Sequence, residues 1–297
     1  MPRKAPNANY YTAAQVKRRL EITDTQLYNH VRKGNLRHIT PPGYKQGFYL
    51  RNEVDRLAKE LRPFFEPEEE TTTVDFTAAV VEDITGCIAL NRELFANPSH
   101  STDDITLLKK WTNWIRKNPE IVYVLKRDKE IVGIATALPF KPSSERFEEI
   151  LRGDISILLG DVDISPEDIE EYKAENHVQL YLAEIGIRPS LNKNLRRKYG
   201  GKLIVKFTDA IVNLGKRGVI IEKILAVGST RSGTRILQHF GFNEVAFSRP
   251  DTRLFTINIK ESETPIAHAY REALDEWRQH KTDSKVDSKD SEQQATT

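Results

Sequence analysis

Apolar residues in the first sixty positions fall into three runs at helical spacing. Val16 and Leu20 lie four apart, Leu27 and Val31 lie four apart, and Val54, Leu57, Ala58 and Leu61 follow an i, i+3, i+4, i+7 pattern. Each run predicts a helix with one buried face. The first starts at Tyr11-Thr12 and ends near Glu21. Thr23 followed by Gln26 has capping-box spacing and starts the second, which Gly34 ends. From Arg37 through Pro41-Pro42-Gly43 to Gly47-Phe48-Tyr49, turn residues stand between extended runs and predict a β-hairpin.

The pattern changes after Pro63. Glu66-Pro67-Glu68-Glu69-Glu70-Thr71-Thr72-Thr73 has no apolar period and repels itself, so it reads as a linker over 64–73. A strand over Val74–Ala78 follows, then helices around Ile84, Ile88 and Leu94 and around Leu107, Leu108, Trp111 and Ile115. The runs Ile121–Leu125 and Ile131–Ala137 are joined by Arg127-Asp128-Lys129-Glu130, a hairpin by composition. Residues 141–175 are a charged excursion with a helical patch at Phe147, Ile150 and Leu151. Leu180–Ile187 is apolar enough to be a central strand. A helix bearing Leu203, Phe207, Ile211 and Leu214 leads to a strand over Val219–Val227, a helix with Ile236, Leu237 and Phe240, and last strands near Val245 and Leu254–Ile259. Thr264-Pro265 opens a final helix over 263–280 with Ile266, Tyr270, Ala273, Leu274 and Trp277 on one stripe. That stripe can pack on its own domain or pair with a second copy. Residues 281–297 hold almost nothing apolar and are expected to be disordered.

Charge separates the two halves. Residues 1–63 carry thirteen Lys and Arg against five Asp and Glu, a net of +8, while the whole chain is only +2, so the remainder carries −6. Basic charge gathered on a small module is the electrostatic footprint of a polyanion partner. The only cysteine, Cys87, has no partner for a disulfide or a metal cluster and reads as a core residue, and no metal site is expected. No run approaches the ~20 apolar residues of a membrane span. The first thirty residues lack a signal-peptide core, so the expectation is a cytoplasmic protein without membrane attachment.

The series Tyr11-Thr12, Leu27-Tyr28, Val31-Arg32-Lys33-Gly34-Asn35-Leu36, Gly47-Phe48-Tyr49 and Glu53-Val54-Asp55 resembles the MerR and excisionase winged helix-turn-helix. The resemblance covers about residues 10–61. It implies double-stranded DNA as partner, with Thr25, Gln26, Asn29, His30, Arg32 and Lys33 turned outward toward a major groove and Arg37 and Lys45 on the wing. A small protein-binding module is the other reading of the same elements.

The element order over roughly residues 73–260 is similar to the GNAT N-acetyltransferase family, so the fold expected is α+β, a winged helix followed by a mixed sheet with flanking helices. Arg197 and Gly200 match that family's (Gln/Arg)-x-x-Gly-x-(Gly/Ala) loop, Ile187-Arg188-Pro189 and Phe240-Gly241-Phe242 its flanks. The resemblance implies acetyl-CoA or another acyl-CoA as cofactor and an amine acceptor, protein or small molecule. It implies that amides of Arg197, Lys198, Tyr199, Gly200, Gly201 and Lys202 cradle a pyrophosphate, and that Ile185, Gly186 and Ile187 border the cofactor where their strand splays. Lys202 stands where Gly or Ala is usual. Leu237 stands where the family often has a tyrosine acid, which leaves Tyr199 and His239 as substitutes. Glu184 interrupts an apolar strand and is the candidate base. A solvent-facing Glu184, or one paired with Arg188 or Lys206, is the competing reading. Three functions stay open: a DNA-binding regulator with an active acetyltransferase, a transcription factor whose silent GNAT-like domain senses acyl-CoA, and an interaction module. A homodimer through the last helix would suit a two-fold DNA site.

Overall fold

The computed structural model describes residues 8–44, 46–65, 74–95, 103–152, 164–245 and 253–294. Lys45 and residues 66–73 of the linker expected over 64–73 lie outside them, while Phe64 and Phe65 belong to a helix instead.

In the N-terminal module, α1 (Ala13–Leu20) is capped by Thr12, whose hydroxyl accepts from the Gln15 amide while Gln15 reaches back to the Thr12 amide. Glu21 ends it in the left-handed region, and α2 (Asp24–Arg32) starts after Thr23 with a second capping box through Gln26. Short strands β2 (His38–Ile39) and β3 (Phe48–Leu50) form the expected hairpin. A strand that hydropathy did not signal, β1 (Tyr10–Tyr11), pairs with β3 from its other edge. Helix α3 (Arg51–Phe65) runs through Pro63 and closes a core of Val16, Leu20, Leu27, Leu36, Val54 and Leu57.

The C-terminal domain is built on a seven-stranded mixed sheet. Its strands are β4 (Val74–Ala78), β5 (Val122–Arg127), β6 (Glu130–Phe140), β7 (His177–Ile187), β8 (Ile220–Gly228), β9 (Asn243–Val245) and β10 (Arg253–Asn258), in the order β4-β5-β6-β7-β8-β10-β9. Every neighbouring pair is antiparallel except β7 and β8. A parallel pair needs a crossover, and here it contains α7 (Lys193–Lys216). Beside α7 on one face lies α9 (Pro265–Gln294). The other face is covered by α4 (Ile84–Leu94), α5 (Asp104–Lys117) and α6 (Glu145–Arg152). Cys87 is buried in the second layer, as its isolation in sequence suggests. The arrangement is α+β, with β7 central.

Helix α9 corrects the expectation of a disordered tail from residue 281: it continues to Gln294. No proline or glycine interrupts the segment, and Lys281 pairs with Glu175 at 2.6 Å. Its stripe packs within the domain, with Tyr270, Ala273 and Leu274 buried and Ile266 and Trp277 half-buried. Among the described residues no helix is long and apolar enough to cross a membrane, and no group of three His, Cys, Asp or Glu could hold a metal ion.

The two parts of the chain touch. Helix α3 packs along α7, and α2 lies against α8 (Arg231–His239), the helix that follows β8.

Tyr270 ties α9 to the sheet: its buried hydroxyl donates to the Val219 carbonyl and accepts from the Ile221 amide at 2.7 Å. Tyr270→Phe leaves both backbone groups unsatisfied, and urea unfolding should show a loss of about 1–3 kcal/mol.

Candidate functional site

Strands β7 and β8 pair only from His177↔Ile220 to Leu182↔Ala226, with one register shift at Val178/Gln179. Beyond that point β7 continues to Ile187 bonded to β6 alone, while Val227 and Gly228 of β8 pair with β10. The register of β7 on β6 shifts at the same place: Leu182 opposes Ala137 and Glu184 opposes Thr136, so Ala183 is an extra residue. An unpaired residue of this kind bends its strand and raises local twist, which parts β7 from β8. The backbone edge of β7 from Ala183 onward therefore borders a gap in the sheet. Ile185, a third exposed, stands at its mouth.

Glu184 sits at the root of the gap, buried at 8 % exposure. Its carboxylate accepts from the Thr136 hydroxyl at 2.9 Å and from the side-chain amide of Asn91 on α4. Burial raises its pKa and these two donors partly offset the shift, leaving it above the ordinary glutamate value. Neither pairing considered from sequence occurs, because Lys206 lies near Asp209 and Arg188 holds Glu93 and Glu130. Arg188 also donates twice to the Ile131 carbonyl, while its own amide bonds to the Val132 carbonyl. The last turn of β7 is thereby fastened to β6 and α4. Asn91 and Thr136 were missed from sequence, since only the fold brings α4 and β6 to Glu184.

The glycine-bearing loop expected over Arg197–Leu203 is instead the second and third turns of α7, which starts at Lys193 behind the cap Asn192. Tyr199, Gly200 and Gly201 are buried in the helix, so the amides of Lys198 to Lys202 are consumed by its own ladder. Helical propensity over Lys193–Lys198 and the buried stripe from Leu203 onward outweigh the two glycines. The free amides are those of Lys193 and Asn194, since Asn192 accepts from Leu195 at 3.0 Å through its side chain and from Arg196 through its carbonyl. Arg197 donates to the Lys59 carbonyl of α3, and Lys202 to the Val74 carbonyl. Neither is part of a phosphate loop. Gly186 comes so close to α4 that a Cβ would lie 2.5 Å from Leu94, while Ile187 packs in the opposite layer.

The substitute acids are corrected as well. Tyr199 is almost fully buried and its hydroxyl meets Arg127. His239 is buried against the N-terminal module, and burial lowers its pKa to about 3. An imidazole of that kind is neutral near pH 7 and lacks the imidazolium proton a general acid would give. Leu237 is a core residue.

In the N-terminal module only part of the expected face of α2 points outward. Thr25 and Arg32 are exposed, but Gln26, Asn29 and His30 are buried against α8 and Lys33 is half-buried. Gln26 donates to the His239 carbonyl, Asn35 to Gln238 at 2.8 Å, and Lys33 pairs with Glu244. The physical reason is geometry: these residues lie on the flank of α2 between core and solvent, and α8 covers that flank. Tyr28, which hydropathy assigned to no face, is 64 % exposed between Thr25 and Arg32. Arg37, bonded to Glu53, precedes the hairpin and exposed His38 belongs to its first strand.

No protein-family model matches the chain, and no curated protein does. Among solved structures, the chain resembles the loading GNATL domain of CurA from Lyngbya majuscula at 18 % identity and a TM-score of 0.42, covering 64 % of this chain and 100 % of that one. It also resembles an N-acetyltransferase from Staphylococcus aureus Mu50 at 14 % and 0.40, covering 63 % of this chain and 99 % of that one. A Drosophila melanogaster polyamine N acetyltransferase is similar at 12 % and 0.40, covering 63 % and 100 %. Identities this low and superpositions this loose transfer no activity, so function rests on the site itself.

The His30 and His239 rings lie 5.9 Å apart across the domain border; burial and then Arg235 lower the His30 pKa to about 4, and burial and then His30 lower that of His239 to about 3. Unfolded imidazoles take up protons near pH ~6.5, whereas these refuse them until about 4 or below. Stability contributed by the docked pair is complete above pH ~6.5 and is lost as pH falls toward 4. Denaturant unfolding between pH 7.5 and 5 should weaken progressively, with a shallower slope in His30→Leu.

Proposed function

We propose that the C-terminal domain is a GNAT-type N-acyltransferase that moves an acetyl or other acyl group from acyl-CoA to an amine. The observation that supports this most directly is the parting of β7 from β8 within two residues of a buried carboxylate. The unpaired β7 edge from Ala183 to Ile187 supplies backbone donors and acceptors for an extended chain such as pantetheine, and the free amides of Lys193 and Asn194 would receive a diphosphate. Glu184, whose pKa burial raises, is suited to take the proton of an ammonium near neutral pH. The neutral amine would then attack the thioester carbonyl, the nitrogen–carbon bond forming and the carbon–sulfur bond breaking, with the nitrogen's second proton passing to the departing CoA thiolate.

The N-terminal module is read as a winged helix that binds duplex DNA. The exposed strip Thr25, Tyr28 and Arg32, the neighbouring hairpin and the net +8 of residues 1–63 support this reading. Gln26, Asn29, His30 and Lys33 are assigned to holding the two domains together. The whole is then a DNA-binding regulator that carries an acyltransferase. The alternative, an acyl-CoA sensor without turnover, is favoured by Leu237 standing where the family's acid would be.

Calorimetry with acetyl-CoA and a thiol-release assay with an amine panel separate these readings. Binding with turnover is expected, and Glu184→Gln should lower kcat by about 100-fold or more with acetyl-CoA affinity unchanged. Binding without turnover would leave the sensor, and no binding would remove both. For the module, fluorescence anisotropy of the full chain on duplex DNA should show affinity falling steeply with salt. Arg32→Ala should reduce the log–log salt slope by about one.

A further inference from the structure

At the end of β8, where the sheet gap opens, a cavity of about 380 Å³ is bounded on one side by Gly228–Arg231 and on the other by Lys33, Gly34 and Asn35 of the N-terminal module. Four cations line it: Lys33, Arg231, Arg235 and Arg253. Two carboxylates answer them, Glu244 shared between Lys33 and Arg253, and Glu60 on Arg235. Among the described residues the walls therefore keep a charge of +2. Arg235 is 15 % exposed, and its Nε is buried without a hydrogen-bond partner. Helix α8 opens into the same space. Thr230 caps the Gly233 amide at 3.0 Å, and the amides of Arg231 and Ser232 have no carbonyl a turn earlier to bond. Burial first, and then the neighbouring Arg32 and Arg253, lowers the Lys33 pKa.

We propose that this pocket binds a phosphate group of a small phosphorylated ligand, and that Lys33 makes the N-terminal module one wall of the site. A dianionic phosphate matches the residual charge, the free amides and the guanidinium donors together. The cavity is a half-open cleft between the domains, too small to admit a duplex, so its ligand is a small molecule and not DNA. Occupancy would tie the end of α2 to α8 and so fix the exposed strip of α2 relative to the sheet. The phosphate can come from acyl-CoA itself, whose gap opens beside the pocket, or from a separate phosphorylated molecule. Only the first source rests on the acyltransferase reading.

The test is calorimetry on the full chain with CoA, 3′-dephospho-CoA and inorganic pyrophosphate, repeated in Lys33→Ala and Arg231→Ala. Arg231 is exposed, which keeps the comparison valid should Lys33→Ala disturb the domain contact, and thermal melts check each variant. If the cofactor is the source, CoA should bind about tenfold or more tighter than its dephospho form, and each variant should shrink that ratio. If the ligand is separate, the two CoA forms bind alike, pyrophosphate binds, and each variant weakens pyrophosphate about tenfold. Equal binding of both CoA forms with no pyrophosphate binding overturns the site. Failure of CoA in both forms while pyrophosphate still binds removes the acyltransferase reading and leaves this one standing.

Discussion

One inserted residue organises the C-terminal domain. Ala183 has no counterpart on β6, so β7 bends where it would otherwise have stayed in register with β8. Below the bend the two strands share a parallel ladder and a dry core on both faces. Above it the ladder is missing, and backbone groups that a sheet would satisfy internally are presented to whatever enters the gap. The same bend places Glu184 one residue later, where its carboxylate meets Thr136 and Asn91 instead of water. Opening and buried acid have a single geometric cause.

The domain border is a second organising feature. Six polar residues at and just beyond α2 were expected to face DNA, yet four of them, Gln26, Asn29, His30 and Lys33, are withdrawn into the domain border. Gln26 and Asn35 form directed hydrogen bonds to α8, while His30 is sealed against His239 at the cost of neutralising both rings. Polar groups buried this way fix relative orientation more than they add stability. The two domains thus meet in one register, with the strip Thr25, Tyr28 and Arg32 outside it.

Much of this was legible from sequence. The alternation of apolar residues located every major strand, and Thr23 with Gln26 located the start of α2, because both signals are local. What sequence missed depends on long-range packing. Gly200-Gly201 resembles a turn, but the stripe Leu203, Phe207, Ile211 and Leu214 extends its helix backward until Asn192 offers a cap. His239 looked available because its neighbour across the border, two hundred residues earlier, cannot be inferred from spacing. Glu184 was found because a carboxylate inside an apolar strand is costly without partners, and those partners exist. Strand β1 was missed since two residues carry no period.

Arg188 has a consequence for how the gap can be filled. Its guanidinium and amide rivet the upper end of β7 to Ile131, Val132, Glu93 and Glu130, so the mouth is held apart by hydrogen bonds and ionic braces. A guest sliding into such a ready-made slot surrenders little of its affinity to immobilising the host. Discrimination between guests must then come from the shape of the slot and from the amine side of the sheet, with no hinge required to assemble the cleft.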